Sequence, residues 1–128
     1  MPRWRPETIE RWQPSVWDGA FVGSIDIVRQ GEGPGRAQAW LRPKLPLLES
    51  KPVSATARAL GVLNVANGIA VSVPSTEAMC PNLELTAHLS SEPRGDWIGR
   101  DTTVAFGPDG ARLTHSTIHD QTGPIGAL

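Results

Sequence analysis

Three amides, a carboxylate and a hydroxyl carry the chemistry that the sequence offers first. Asn64 and Asn67 stand inside "ALGVLNVANGIAVS", a run that is otherwise almost wholly apolar. Asn82, Glu84 and Thr86 alternate in "PNLELTAHLS". An amide can hold a water or donate to a carbonyl oxygen, a carboxylate can take a proton from that water, and a hydroxyl can orient either. Such a set suits hydrolysis of a carbonyl compound by water. A buried amide left unpaired costs about 1–3 kcal/mol, so Asn64 either closes a structural hydrogen bond or lines a site. Glu84 is the one carboxylate of this set and its reserve base.

Other reactive groups fit poorly with alternative chemistries. His115 and His119 are four apart and precede Asp120. On a strand, two such side chains lie roughly 13 Å apart at ~3.3 Å per residue, too far to share one ion, so no metal site is expected. His88 reads as a strand-face residue and Cys80 as a small buried thiol. No G-x-S-x-G marks a nucleophilic serine. "GEGPG" precedes a strand and so reads as a turn, not a phosphate loop. No cofactor is expected.

The elements that must position these groups follow from periodicity. "FVGSIDIVRQ" and "RAQAWLRPKLP" alternate and read as strands, joined by the turn Gly31–Gly35. In the second, Ala37, Ala39 and Leu41 oppose Gln38, Trp40 and Arg42. "KPVSATARALGVLNVAN" reads as a helix with Ser54 as N-cap and Gly68 where a left-handed C-terminal cap belongs. Leu60, Leu63, Asn64 and Asn67 share one helix face at i, i+3, i+4 and i+7. "PNLELTAHLS" reads as the cleanest strand, with Leu83, Leu85, Ala87 and Leu89 turned toward the helix. "DWIGRDTTVAF", "ARLTHSTIH" and "PIGAL" form a meander across the turns "GPDG" and "DQTG", each ending on Gly. The last strand reads as cut short.

The predicted order is β-β-α-β-β-β. It is an α+β arrangement, an antiparallel sheet wrapped around one long central helix, known as a hot dog. Such a unit leaves an open edge, so it is expected to pair with a second hot-dog unit or with a copy of itself. Residues 1–19 hold Trp4, Trp12 and Trp17 without period and read as an N-terminal arm or linker; residues 20–128 form the domain.

Bulk composition bounds the function. The chain of 128 residues suits one core, with 39% hydrophobic and 20% charged residues. A net charge of −1 gives no footprint for nucleic acid. The single cysteine precludes an internal disulfide and, with no signal peptide at the N-terminus, suits the cytoplasm. Residues 59–76 are uncharged but carry two Asn, two Gly, two Ser and a Pro, which argues against a membrane span.

From Phe21 to the end the sequence resembles the type II acyl-CoA thioesterase family, and more narrowly the C-terminal half of its tandem hot-dog members. "VLNVANGIA" is similar to that family's A-A-D-F-G-N-G helix. "PNLELTAHLSSEPRGDWIG" is similar to N-P-D-L-T-V-H-L-x-R-x-P-x-G-E-W-I-G, and "AWLRPKLPLL" to A-W-M-R-x-R-x-P-L. "TTVAFGPDGARLTHSTIHDQTGPIG" follows the family's final hairpins. The resemblance implies hydrolysis of a fatty acyl-CoA by an activated water held by an Asp on the helix, a Thr or Asn opening the next strand and a Gln on the last. Asn64 stands in the position of the Asp and Asn82 in that of the strand residue; the Gln position falls after Gly126, beyond the residues given. Asn64 and Asn82 would hold water and carbonyl, Glu84 or Thr86 would assist, and Leu60, Leu63, Asn67 and Gly68 would border the acyl tunnel together with Leu83 and Leu85. The departure at Asn64 leaves a second expectation open: a catalytically inactive module that binds acyl thioesters or serves as a pairing half.

Overall fold

The structure is a computed structural model; it describes residues 23–31, 33–63 and 83–128. The expected N-terminal arm and positions Asn64, Asn67, Gly68, Cys80 and Asn82 lie outside the described residues.

Six strands form one antiparallel sheet in the order β1-β2-β4-β5-β6-β3. The strands are β1 (Ile25–Gly31), β2 (Arg36–Pro43), β3 (His88–Leu89), β4 (Ile98–Phe106), β5 (Arg112–Asp120) and β6 (Gly123–Ala127). The β1–β2 hairpin closes where Gly33 and Gly35 take φ of 115° and 73°, a region that side chains with a Cβ avoid. The β4–β5 hairpin closes through the Gly107 N–H on the Ala111 carbonyl at 2.7 Å. Both hairpins and the expected meander are present, each strand within a few residues of its expected bounds.

Among the described residues one short helix, α1 (Ala55–Leu60), joins the sheet's core cluster through Ala59. Ser54 caps it as expected: its Oγ accepts the Ala57 N–H at 3.2 Å. Gly61 is right-handed, with φ −62°, so the chain keeps turning past Leu60. The described residues show no long central helix: α1 ends at Leu60, and the stretch from position 64 through Asn67 over which a longer one was expected lies outside them.

The core lies between helix and sheet. Ile25, Ile27, Ala37, Ala39, Leu41, Ile98, Ile118 and Ile125 share one sheet face and cluster with Ala59, Val62 and Leu63. Alanines at 37 and 39 keep the middle of that face low, which suits a helix packed against it. Val28, Gln38, Trp40 and His119 are buried on the other face. Alternation along β2 therefore separates two buried faces, not a buried and a wet one.

The segment "PNLELTAHLS" departs from expectation. Only His88 and Leu89 join the sheet, opposite Ala127 and Gly126. Leu83 is 99% exposed and Leu85 is also exposed, so they do not turn toward the helix. Ala87 and Leu89 do pack against the core. The register places His88 on Ala127 and Leu89 on Gly126, and among the described residues no strand pairs with 83–86. Period-2 alternation states which faces a strand would present, but it does not supply the neighbour that makes the strand.

Candidate functional site

The polar feature of the helix-facing sheet surface is Arg100. Period 2 along β4 sets Ile98, Arg100, Thr102 and Val104 on one side, and β2 brings Ala39 opposite Arg100. The side chain is 0% exposed. Its Nη1 donates to the Leu63 carbonyl just past α1. Its Nη2 donates to Ser116 Oγ at 2.7 Å. Ser116 Oγ in turn lies 2.7 Å from Thr102 Oγ1, its cross-strand partner. No carboxylate among the described residues pairs with the guanidinium, and its Nε has no hydrogen-bond partner. Burial pulls the pKa of Arg100 down to about 9, so the side chain still carries its charge at neutral pH.

This arrangement can hold a peptide in one orientation and place a positive charge near it. The carbonyl it grips belongs to the Leu63–Asn64 peptide bond. Leu63 is buried in the core, whereas Leu60 faces outward. Glu84 and Thr86 are exposed and bond each other, Thr86 Oγ1 donating to Glu84 Oε1 at 2.9 Å.

The segment that carries "EPRGDWIG" is pinned from helix and sheet. Arg58 on α1 donates to the Gly95 carbonyl at 2.7 Å and to Asp96 Oδ1 at 3.2 Å. Gly95 has φ of 81°, which favours glycine. Arg42 on β2 sits 4.6 Å from the Trp97 ring centre and bonds Asp26 at 2.7 Å. The Gly and the Trp of that motif therefore serve to dock a loop on helix and sheet.

His115 and His119 do not converge on an ion. His115 is exposed and His119 buried, and the Asp120 carboxylate is taken up by hydrogen bonds. Among the described residues no group of three His, Cys, Asp or Glu side chains could hold a metal.

Arg100 was not singled out by motif or spacing alone. The signal was nevertheless present: "IGRDTTV" sets an arginine in register with Ile98 and Val104, and a charge inside an apolar register is the informative observation.

A family model for the acyl-CoA thioesterase C-terminal domain matches residues 3–127. The chain belongs to that family. Comparison with curated proteins and with solved structures returns no match. For this thioesterase-family chain, no helix among the described residues is long and apolar enough to cross a membrane.

Proposed function

We propose that the protein hydrolyses acyl-CoA thioesters, of fatty acyl groups in particular, by an activated water. Family membership over residues 3–127 carries this reading. The sheet order and a helix on one sheet face are compatible with a hot dog, whose open edge would be covered by a second unit or a second copy of the chain. In this reading the helix that starts at Ser54 delivers Asn64 to the thioester. Asn64 and Asn82 hold the water and the carbonyl oxygen, Asn67 and Gly68 close the helix end, and Leu60 and Leu63 border the acyl chain. The protein works in the cytoplasm on lipid intermediates.

Hydrolysis of a panel of acyl-CoA chain lengths by the purified protein, with and without Asn64→Ala, tests this. The wild type should turn over at least one chain length and the alanine variant should lose that activity. No turnover on any acyl-CoA would sink the proposal.

One observation favours a second reading, a module that binds acyl thioesters without cleaving them. An asparagine at position 64 cannot take a proton, and Glu84 is exposed and engaged by Thr86. Asn64→Asp separates the two. A general base adds roughly 10²-fold or more where everything else is in place. A gain of that order from an inactive wild type would identify a silenced site.

A further inference from the structure

We propose that residues 83–89 are the edge through which two copies of this chain pair, antiparallel about a two-fold axis at Thr86, so that Glu84 of each copy faces His88 of the other. This names the edge and the partner that the reading above leaves open. It rests on that reading only for the expectation that an edge is covered, and hydrolysis plays no part in it.

β3 ends the sheet: it pairs with β6, and among the described residues no strand lies beyond it. Just past β3, the Ser90 N–H goes to the Ile125 carbonyl of β6 at 2.7 Å. Strand period then turns the N–H and C=O groups of residues 88 and 86 toward the same side, and those of residues 89, 87, 85 and 83 outward. An outward row of backbone groups is a template for another strand. The side chains alternate as well. Glu84 and Thr86 share one side, Thr86 Oγ1 donating to Glu84 Oε1 at 2.9 Å. Ala87 and Leu89 turn onto the core. Leu85 and Leu83 carry that apolar row past the core, 48% and 99% exposed.

The residues of this span say which strand fits it. Taken about Thr86, "LELTAHL" is symmetric in character: Leu83 matches Leu89, Glu84 matches His88 with opposite charge type, and Leu85 matches Ala87. Antiparallel pairing of two copies at that centre sets carboxylate against imidazole twice. It also gives Leu85 and Leu83 new neighbours, the Ala87 and Leu89 of the second copy, which pack on that copy's core. A centre at Glu84 would oppose two carboxylates, and one at His88 two imidazoles. Centres at Leu85 or Ala87 would set Thr86 against Glu84 or His88 and forgo the charge pair. The backbone phase agrees with Thr86. The outward groups of residues 85 and 87 exchange the hydrogen bonds, which leaves Glu84 with His88, and Thr86 with its own copy, as the non-hydrogen-bonded pairs whose side chains lie closer.

The full chain tests this. Sedimentation equilibrium should give a dimer. Leu85→Lys, at an exposed position, and Glu84→Lys should each raise the dissociation constant about tenfold or more. His88→Glu added to Glu84→Lys should bring it back to within about threefold of wild type, because the charges are then exchanged and not removed.

Cysteine cross-linking reads the register. In a Cys80→Ser background, Thr86→Cys brings two thiols together across a pair with Cα atoms about 4.5 Å apart, within reach of a disulfide. Glu84→Cys leaves them four residues apart, about 13 Å along the strands. Mild oxidation should link the first variant and not the second. A chain that stays monomeric at high micromolar concentration would overturn the inference and leave this edge to a different unit. So would a dimer that cross-links through Glu84→Cys in place of Thr86→Cys, that Leu85→Lys leaves intact, or that the charge exchange does not restore. Mass and cross-links do not depend on turnover. A chain that pairs but hydrolyses nothing sinks the thioesterase reading alone, and one that hydrolyses as a monomer sinks this one alone.

Discussion

The Asp120 carboxylate accepts the backbone N–H of Arg94 at 2.9 Å, tying the loop ahead of β4 to the turn that joins β5 and β6. The other carboxylate oxygen serves the turn itself, taking the Thr122 N–H at 2.8 Å, the Thr122 hydroxyl at 2.6 Å and the Gly123 N–H at 3.2 Å. One side chain thus closes "DQTG" and holds "EPRGDWIG" against it. Burial works to raise the Asp120 pKa, but the hydrogen bonds from Thr122, Arg94 and Gly123 outweigh it and hold the carboxyl below its usual value.

Asp120→Asn should therefore destabilise the fold. The amide keeps one acceptor oxygen but presents N–H groups to backbone N–H groups, at a cost of about 1–3 kcal/mol. The carboxyl's folded pKa is depressed, so its contribution is present above the unfolded value of 3.8 and is lost as pH falls through the folded value. Urea unfolding at pH 7 and at pH 3 checks both statements: the gap between variant and wild type should narrow at the acid end. An equal gap at both would refute them.

His119 should set a second pH dependence. It is buried, its Nδ1 has no hydrogen-bond partner, and burial lowers its pKa although Asp101 and Asp120 act in the opposite sense. The folded chain therefore resists the proton that the unfolded chain accepts below about pH 6.5. Stability is full above that value and declines as pH falls toward the folded pKa. In His119→Gln the decline between about pH 6.5 and pH 5 should be shallower than in wild type. Parallel melting curves for the two proteins across that window would disprove the assignment.

Much of the sheet was legible in the sequence because its signals are local. Gly33, Gly35 and Gly110 sit at positive φ inside turns that composition alone marks, and Ala37, Ala39 and Leu41 share one face as alternation along β2 expects. Ser54 capped its helix where expected. Residues 83–86 depart from the alternation reading because a strand needs a pairing neighbour, a property of register and not of the segment, and among the described residues none pairs with them. Arg100 was overlooked for a related reason: its partners, Leu63 and Ser116, lie 37 and 16 residues away, and no local pattern announces them. Asp120 drew no role from the sequence beyond its place after His119, because its partners are three backbone N–H groups and the Thr122 hydroxyl, which side-chain spacing does not reveal.

Gly126 should be intolerant of any side chain. A Cβ there would run into the backbone carbonyl of His88 and crowd the Leu89 side chain. Those two residues are the whole of β3. Gly126→Ala should push β3 off β6 and free the segment that leads back toward position 83. Hydrogen exchange should then show the Leu89 amide and its neighbours losing protection while the β4–β5 ladder keeps it. Unaltered protection in β3 would refute the expectation.

Arg100→Met should be at least as stable as wild type at neutral pH. Releasing a buried, uncompensated guanidinium is worth between about 0 and 4 kcal/mol once the loss of its hydrogen bonds is included. The sign of the pH dependence is specific. The folded pKa of about 9 lies below the ordinary arginine value, so between the two the folded chain sheds a proton that the unfolded chain keeps. Wild-type stability then rises with pH relative to a chain that lacks the group, since the unfolded state binds the extra proton. The advantage of Arg100→Met at pH 7 should accordingly shrink by pH 10. Urea midpoints of both proteins at the two pH values measure it directly, and because every other titrating group is common to the pair, its contribution cancels. An advantage that stays constant, or a methionine variant several kcal/mol less stable at pH 7, would mean that the hydrogen bonds to Leu63 and Ser116 outweigh the burial of the charge, and Arg100 would then be a structural residue.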